Sequence, residues 1–284
     1  MTSHSRAALL IILAAPAAAP AGGLMAQSIG AGARDSLVPA PTSASLFRRG
    51  DANLLVGAFA MSAAVSFYDE RISHEVRSER AQSYGALRGT ATAATAIGGA
   101  GPIALALGTY LAGRLTSRPA LQSFGRSATA AVVTASALTL LSKGIAGRER
   151  PSAGSDEDVF HFGRGFSGGA RGSFPSGHTS ASFALATVAV METPSDRPRL
   201  RVAVGAIAFG AATLVGAARV YQGQHWTSDV ISGAALGIVS GLMAERYTHR
   251  AAAVALDSPR ADRFTNRVSL GAQHQGLGLS IAFR

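Results

Sequence analysis

The chain has 284 residues, no cysteine and a formal charge of +10, and these features limit its function. The absence of cysteine excludes disulfide bonds, thiolate nucleophiles and cysteine zinc sites. Only 15% of the residues are charged while 48% are hydrophobic, so the basic residues lie on a mostly apolar chain. Nucleic-acid binders concentrate lysine and arginine on one face with interleaved aromatic residues. The composition therefore favours a membrane or a phosphate-bearing partner over nucleic acid.

Residues 1–26 have the layout of a secretory signal peptide. Arg6 precedes an apolar run from Ala7 to Ala15, and small residues follow up to Ala26. An uncleaved N-terminal membrane anchor is the alternative, because the apolar run and its continuation reach about 20 residues. Residues 27–50 are rich in Gly, Ala, Pro and Ser, and are predicted to form a flexible linker.

Residues 51–250 are predicted to form an all-α domain, a six-helix bundle. Apolar stretches alternate with short polar ones, without the alternation typical of strands. The helices are expected at 53–70, 86–115, 122–145, 177–192, 199–219 and 227–249. Recurring Gly and Ala favour the close packing of membrane bundles, so we expect the bundle to be membrane-embedded. A soluble bundle is the alternative, since several apolar cores are shorter than the roughly 20 residues of a straight span.

Residues 251–284 are predicted to form a C-terminal tail that ends in a short β-hairpin. Apolar residues alternate from Val268 to Phe283, with a turn expected near 274–276. Two strands cannot close a membrane barrel. The hairpin is therefore interpreted as a structural cap.

Three polar motifs lie at predicted helix ends. They are Lys143 with Arg150-Pro151 in KGIAGRERP, Pro175 to His178 in GSFPSGHTS, and Arg219, His225 and Asp229 in RVYQGQHWTSD. In an up-down bundle the third and fifth helices end on the face where the fourth and sixth begin. The three motifs are therefore expected to converge on one site.

The residue types of this site point to a phosphate. Lys143, Arg150 and Arg219 supply three positive charges, and the arginine fork matches phosphate oxygens. The backbone amides of Gly177 and His178, at a helix start, add donors and a favourable dipole. Three cations and a helix start in one pocket predict an anionic ligand.

Two histidines and an aspartate complete the predicted site. Asp229 follows His225 by four residues on one helical face, so its carboxylate is expected to hold the imidazole in one tautomer and to stabilise its cation. His225 is then the predicted nucleophile and His178 the predicted acid.

The combined pattern resembles the type 2 phosphatidic acid phosphatase and vanadium haloperoxidase superfamily. Its signature is Lys-x6-Arg-Pro, then Pro-Ser-Gly-His, then Ser-Arg-x5-His-x3-Asp, and residues 143–229 match it except at Ala218, where a serine is usual. The resemblance implies a phosphomonoesterase or diphosphatase that needs no metal or cofactor and forms a phosphohistidine at His225. It assigns protonation of the leaving oxygen to His178, and phosphate binding to Lys143, Arg150, Ser176, Gly177 and Arg219.

Several alternatives stay open at this point. A vanadate-dependent haloperoxidase would hold vanadate with the same cations and histidine, and a lipid-binding membrane protein could merely retain the pocket. The phosphatase itself could be a membrane lipid phosphatase or a soluble periplasmic non-specific acid phosphatase. The motifs contact only the phosphoryl group, so they do not separate phosphatidic acid, phosphatidylglycerophosphate, undecaprenyl diphosphate and soluble phosphomonoesters.

Other polar residues near the motifs are interpreted without a catalytic role. Arg148, Arg164 and Arg171 are expected to be solvated charges or membrane-interface anchors. His161 is expected to be an ordinary surface histidine, and residues 156–158 a solvated acidic loop instead of a metal site. Three phenylalanines of this loop are assigned to packing, with the lining of a substrate entrance as the alternative: Phe160, Phe162 and Phe166.

Arginines are concentrated at the predicted bundle end opposite the site. They are Arg114, Arg118, Arg126, Arg197, Arg199, Arg201, Arg246 and Arg250. The positive-inside tendency places this end in the cytoplasm. The predicted location is the bacterial inner membrane with the site facing the periplasm, and a soluble periplasmic protein is the alternative. A cleaved signal peptide would require either the first helix to lie at the interface or the bundle to be soluble.

Overall fold

The computed structural model describes residues 45–154 and 156–256, and the regular structure within these ranges is helical. The nine α-helices of this part are α1 (Arg49–Ser66), α2 (Asp69–Val76), α3 (Glu79–Ser83), α4 (Gly85–Gly99), α5 (Gly101–Leu115), α6 (Pro119–Ala146), α7 (Gly177–Met191), α8 (Pro198–Tyr221) and α9 (Thr227–Leu256). Three short 3₁₀ turns lie between α6 and α7. The predicted signal segment, most of the linker and the C-terminal hairpin lie outside the described residues.

The prediction of an all-α domain is confirmed for the described residues, but two of the six predicted helices are each divided into two. The predicted helix 86–115 bends by 50° between α4 and α5. Pro102 explains this bend, because proline has no amide hydrogen and its ring clashes with the carbonyl four residues earlier. The predicted helix 53–70 ends at Ser66, and α2 leaves it at 67°. Asp69 and Glu70 occupy the first turn of α2, where acidic side chains favour a new helix start.

Three helices are long and apolar enough to cross a membrane: α6, α8 and α9. The number rises to five if each bent pair, α1 with α2 and α4 with α5, counts as one span. In the apolar 18-residue stretch of α8 only 17% of the residues are buried within the protein, compared with 67% in that of α9. The apolar surface of α8 therefore suits contact with lipid, and α9 is the central helix.

Glycines on α9 let α7 approach very closely. Gly233, Gly237 and Gly241 lie four residues apart, so they share one helix face. A Cβ atom at Gly233 would lie 2.5 Å from the carbonyl oxygen of Ser176, and one at Gly241 would lie 2.6 Å from Thr187 Cβ. The small-residue packing expected from the sequence is thus present. It places the start of α7 directly against the start of α9.

An alanine-rich core fixes the other helices of the bundle. One buried cluster joins α5, α6, α7 and α9, and its members are Ala106, Ala128, Ala131, Ala135, Ala184, Val188 and Ala244. Small side chains of this kind keep helix axes close together. The helix ends that carry the three motifs are therefore held in fixed positions relative to one another.

Candidate active site

The structure brings the three predicted motifs together at one end of the bundle. Helix α6 ends at Ala146, where Gly147 adopts a left-handed conformation with φ of 60° and turns the chain back toward the bundle. The Ser176 amide at the start of α7 donates to the carbonyl oxygen of Asp229 on α9 at 3.0 Å. Lys143 Nζ on α6 donates to the carbonyl oxygens of Gly172 and, at 3.3 Å, Ser173.

Arg150 and Arg219 extend from the first and third motifs. Arg150 donates through Nε to the Gly169 carbonyl at 3.0 Å and through Nη1 to Gln224 Oε1 at 2.6 Å. Burial lowers the pKa of Arg150, although an arginine stays charged at neutral pH. Arg219 is 8% exposed, and its Nε is buried without a hydrogen-bond partner in the part of the chain that the structure describes. A buried guanidinium donor of this kind favours an anionic ligand.

Ser176 and Gly177 form the start of α7 beside these cations. Ser176 is fully buried, and its Oγ lies 2.8 Å from Thr179 Oγ1. A Cβ atom at Gly177 would lie 3.4 Å from Thr139 Cγ2 and 3.9 Å from Lys143 Cε. The first amides of a helix have no carbonyl partner inside it. This helix start therefore offers backbone donors close to the lysine.

His178 follows in the first turn of α7 and is half-buried. A Cβ atom at Gly99 would lie 3.3 Å from its Nε2, so the imidazole lies against the break between α4 and α5. Burial, then the charges of Arg219, Lys143 and Arg150, lower the pKa of His178 to about 4. His178 is thus neutral at pH 7 in the free protein. A bound phosphate would raise its pKa, because negative charge favours the imidazolium.

His225 lies in the loop between α8 and α9, with 2% of its surface exposed. Its Nδ1 lies 2.7 Å from the Ser173 carbonyl oxygen, and since a carbonyl only accepts, Nδ1 carries the hydrogen. Burial lowers the pKa of His225 to about 3, against the opposing effect of Asp229. The ring is therefore neutral at pH 7, with its lone pair on Nε2.

Asp229 supports His225 less directly than the i, i+4 spacing predicts. Its Oδ2 lies 3.8 Å from His225 Nδ1, which is too far for a hydrogen bond. Oδ2 instead accepts from Ser173 Oγ at 2.5 Å and from the Trp226 amide at 2.9 Å. The tautomer is thus fixed by the Ser173 carbonyl, and Asp229 holds Ser173 while remaining close enough to stabilise an imidazolium by charge.

The prediction that Arg148 is a solvated charge or a membrane-interface anchor is wrong. Its side chain is buried between two carboxylates, 3.0 Å from Asp69 Oδ2 and 2.7 Å from Asp229 Oδ1. Its guanidinium carbon lies 5.3 Å from the Phe160 ring centroid and 5.4 Å from that of Trp226. The turn at the end of α6 directs this arginine inward, toward acidic partners distant in sequence. Arg164, by contrast, is exposed as expected.

Three residues that contact the site were missed by sequence reasoning: Ser173, Gln222 and Gln224. So was Asp69, which is linked to Asp229 through Arg148. The two glutamines lie inside the third motif, and Ser173 lies two residues before the second. Their closeness in sequence to these motifs was the only sign that they belong to the site. Asp69 on α2 is far from all three motifs in sequence, so no local pattern indicated its role. The acidic triplet 156–158 forms no metal site with other described residues. His161 pairs with the Glu149 carboxylate at 2.8 Å.

Residues 124–252 match the model of the PAP2 superfamily, and they contain all three motifs. The matched stretch is 129 of the 284 residues, and over it the chain is similar to the PAP2 superfamily. Over 74 residues it is 42% identical to the lipid A 1-phosphatase of Porphyromonas gingivalis, a stretch that covers 26% of this chain and 16% of that protein. It is also similar to the crystal structure of a transmembrane PAP2-type phosphatidylglycerolphosphate phosphatase from Bacillus subtilis. That similarity has 20% identity and a TM-score of 0.37, over 72% of this chain and 98% of the other.

Proposed function

We propose that this protein is a phosphatase that hydrolyses a lipid phosphomonoester or diphosphate without a metal, through a phosphohistidine at His225. The observation that carries the proposal is the hydrogen bond from His225 Nδ1 to the Ser173 carbonyl. It leaves the Nε2 lone pair of a neutral imidazole available as a nucleophile, in a site where three cations favour a phosphoryl group.

In the first step, the Nε2 lone pair of His225 attacks phosphorus, a P–N bond forms and the P–O bond to the leaving group breaks. His178 donates its proton to the leaving oxygen. Phosphate binding supports this role, because the added negative charge raises the low pKa of His178. In the second step, neutral His178 takes a proton from water, the resulting hydroxide attacks phosphorus and the P–N bond breaks. Inorganic phosphate is released and His225 regains its lone pair.

The remaining residues hold the phosphoryl group and the nucleophile. Lys143, Arg150 and Arg219 balance the negative charge of the phosphoryl oxygens, and the first turn of α7 at Ser176 and Gly177 adds donors. The Asp229 carboxylate stabilises the positive charge that develops on His225 as the P–N bond forms.

An apolar cleft beside these cations favours a lipid substrate. Lys143 and Arg150 line a cavity of about 520 Å³ together with Leu140, Leu141 and Phe166. A Cβ atom at Gly144 would overlap the Phe166 ring, so glycine gives this phenylalanine its position against α6. A cleft lined by both cations and apolar side chains suits a phosphorylated lipid. We assign Phe166 to the substrate entrance.

The arginines support a location in the bacterial inner membrane with the site facing the periplasm. Arg118 and Arg197 directly precede α6 and α8, and Arg250 lies in the last two turns of α9. These positions are at the end of the bundle opposite the motifs, where the positive-inside tendency favours the cytoplasm. Intact cells should therefore hydrolyse a membrane-impermeant phosphate ester. Hydrolysis seen only after the inner membrane is opened would contradict this orientation.

The proposed function is tested by phosphate release from detergent-purified protein in the presence of a chelator. The substrates are phosphatidic acid, phosphatidylglycerophosphate, lipid A and p-nitrophenyl phosphate. We expect turnover of at least one lipid, inhibition by orthovanadate and no turnover by His225→Ala. Halide oxidation by the vanadate-loaded protein without any phosphate release would favour a haloperoxidase instead.

A further inference from the structure

Two glutamines of the third motif each contact one of the two arginines assigned to phosphate binding. We propose that Gln222 and Gln224 are positioning residues, which fix the guanidinium groups of Arg219 and Arg150 without neutralising their charge. This inference rests on the proposed function, because it concerns how the same site binds a phosphoryl group.

Gln222 is held by helix α4 and presents its carbonyl oxygen to Arg219. Its Oε1 accepts from Arg219 Nη1 at 3.0 Å and from Thr95 Oγ1 at 2.9 Å. Its Nε2 donates to the Ala91 carbonyl at 3.3 Å. These contacts fix which end of the amide is the acceptor. The guanidinium of Arg219 is thus held through a residue that is itself bonded to a neighbouring helix.

Gln224 performs the same task for Arg150. Its Oε1 accepts from Arg150 Nη1 at 2.6 Å, and the Gly169 carbonyl accepts from Arg150 Nε at 3.0 Å. Gly223 separates the two glutamines and has a φ of 64°, which L side chains rarely adopt. This turn lets side chains only two residues apart reach arginines from two different motifs.

The choice of acceptor distinguishes the cations of the site from the structural arginine behind it. Arg148 is bonded to two carboxylates, Asp69 and Asp229. Arg150 and Arg219, by contrast, donate to amide and backbone carbonyl oxygens, as Lys143 does. A carboxylate would accept the same hydrogen bonds but cancel the positive charge. Neutral acceptors orient the cations and keep their charge available for a phosphate.

The test compares Gln222→Glu and Gln224→Glu with wild type. Each variant keeps an acceptor oxygen of nearly the same shape and adds one negative charge. We expect each to weaken the binding of inorganic phosphate and orthovanadate at least about tenfold, since a charge a few ångströms from the anion acts strongly in a partly buried site. KM should rise by a similar factor, with kcat changed less. In Gln224→Glu the melting temperature should stay equal or rise, because a new ion pair forms. Gln222→Glu forms an ion pair too, but it loses the hydrogen bond from Nε2 to the Ala91 carbonyl, so its melting temperature should be slightly lower.

Two further sets of variants separate positioning from folding. Gln122→Glu is the matched control: Gln122 Nε2 donates to the Gly113 carbonyl at the opposite end of α6, and its substitution should leave phosphate binding unchanged. Gln222→Met and Gln224→Met remove the acceptor without adding charge. We expect them to lower kcat/KM by several fold and to weaken phosphate binding less than the glutamate variants do.

Binding and turnover are measured separately, by calorimetric titration with inorganic phosphate and by phosphate release. Glutamate variants that bind phosphate as tightly as wild type would overturn the inference, even if all of them hydrolyse lipid phosphates. Melting temperatures that fall in parallel with binding in every Gln222 and Gln224 variant would also overturn it. If the wild type binds phosphate more tightly than the glutamate variants but hydrolyses no ester, the inference is supported and the proposed function is contradicted. A wild type that binds no phosphate would overturn both.

Discussion

Arg148 and Asp229 form a buried ion pair directly behind His225. Arg148 Nη1 donates to Asp229 Oδ1 at 2.7 Å, and the two side chains are 3% and 0% exposed. Asp69 on α2 is the second carboxylate of this arginine. The cluster therefore links the turn after α6 to α2 and α9, and it holds the carboxylate that lies beside the proposed nucleophile, His225.

Replacement of Arg148 should destabilise the protein. Arg148→Met would leave two buried carboxylates without their cation, which typically costs about 3 to 5 kcal/mol. Arg148→Lys should lose less, because it keeps the charge but not the fork that reaches both carboxylates. The measurement is thermal or denaturant unfolding in detergent. Arg164→Met, at an exposed arginine, is the control, and equal stability of the two methionine variants would contradict this role for Arg148.

The two histidines should differ in their dependence on the leaving group. A nucleophile is needed for every substrate, whereas an acid matters most when the departing oxygen is strongly basic, as in an alkyl alcohol. We expect His225→Ala to be inactive on alkyl and aryl phosphates alike. His178→Ala should lose about 10²- to 10⁴-fold on a lipid phosphate, roughly 3 to 5 kcal/mol of barrier, and much less on p-nitrophenyl phosphate. Equal relative losses for His178→Ala on both substrates would remove its role as the acid.

Asp229→Asn should have an activity between those of wild type and His225→Ala. The amide keeps the size of the carboxylate but loses the charge that stabilises the imidazolium and pairs with Arg148. Ser173→Ala is a milder comparison, because it removes only the hydroxyl that donates to Asp229 and keeps the carbonyl that binds His225. We expect kcat/KM to fall several fold in Ser173→Ala and far more in Asp229→Asn. The reverse order would contradict the assigned role of the carboxylate.

Activity on alkyl phosphates should rise as the pH falls from 8 to 5. The pKa of His178 in the free protein is about 4, so its protonated fraction increases by up to about tenfold per pH unit over this range. His225, with a pKa of about 3, stays neutral throughout and keeps the lone pair that the proposed mechanism requires. The ratio of wild-type to His178→Ala kcat/KM removes the titration of the substrate itself. A ratio that stays constant or rises with pH would contradict proton donation by His178.

The convergence of the motifs could be predicted from the sequence because it depends on local features. Helix periodicity places Lys143 near the end of one helix and Asp229 near the start of a later one, and an up-down bundle brings such ends together. The break at Pro102 also has a local cause. Proline cannot continue a helix without a break, but the apolar pattern of 86–115 continues on both sides of it, so the sequence was interpreted as one helix.

The network behind the site could not be predicted in the same way. Arg148 and Asp69 are 79 residues apart, and no local pattern pairs them. The partner of His225 Nδ1 is a backbone carbonyl, which every residue possesses, so the sequence pointed to the carboxylate of Asp229 instead. Gln222 and Gln224 were visible as polar residues in the third motif, but only the turn at Gly223 determines which arginine each one contacts.

Trapping the intermediate tests the central claim most directly. The protein would be mixed with a radiolabelled phosphate ester, quenched in alkali, and its phosphohistidine isomers separated after digestion. Because Nδ1 of His225 donates to the Ser173 carbonyl, we predict phosphate on Nε2 of His225 and none in His225→Ala. Phosphate on Nδ1 of His225 or on His178 would contradict the mechanism. So would turnover by wild type if no phosphohistidine were found either in a rapid quench or in the slower His178→Ala variant.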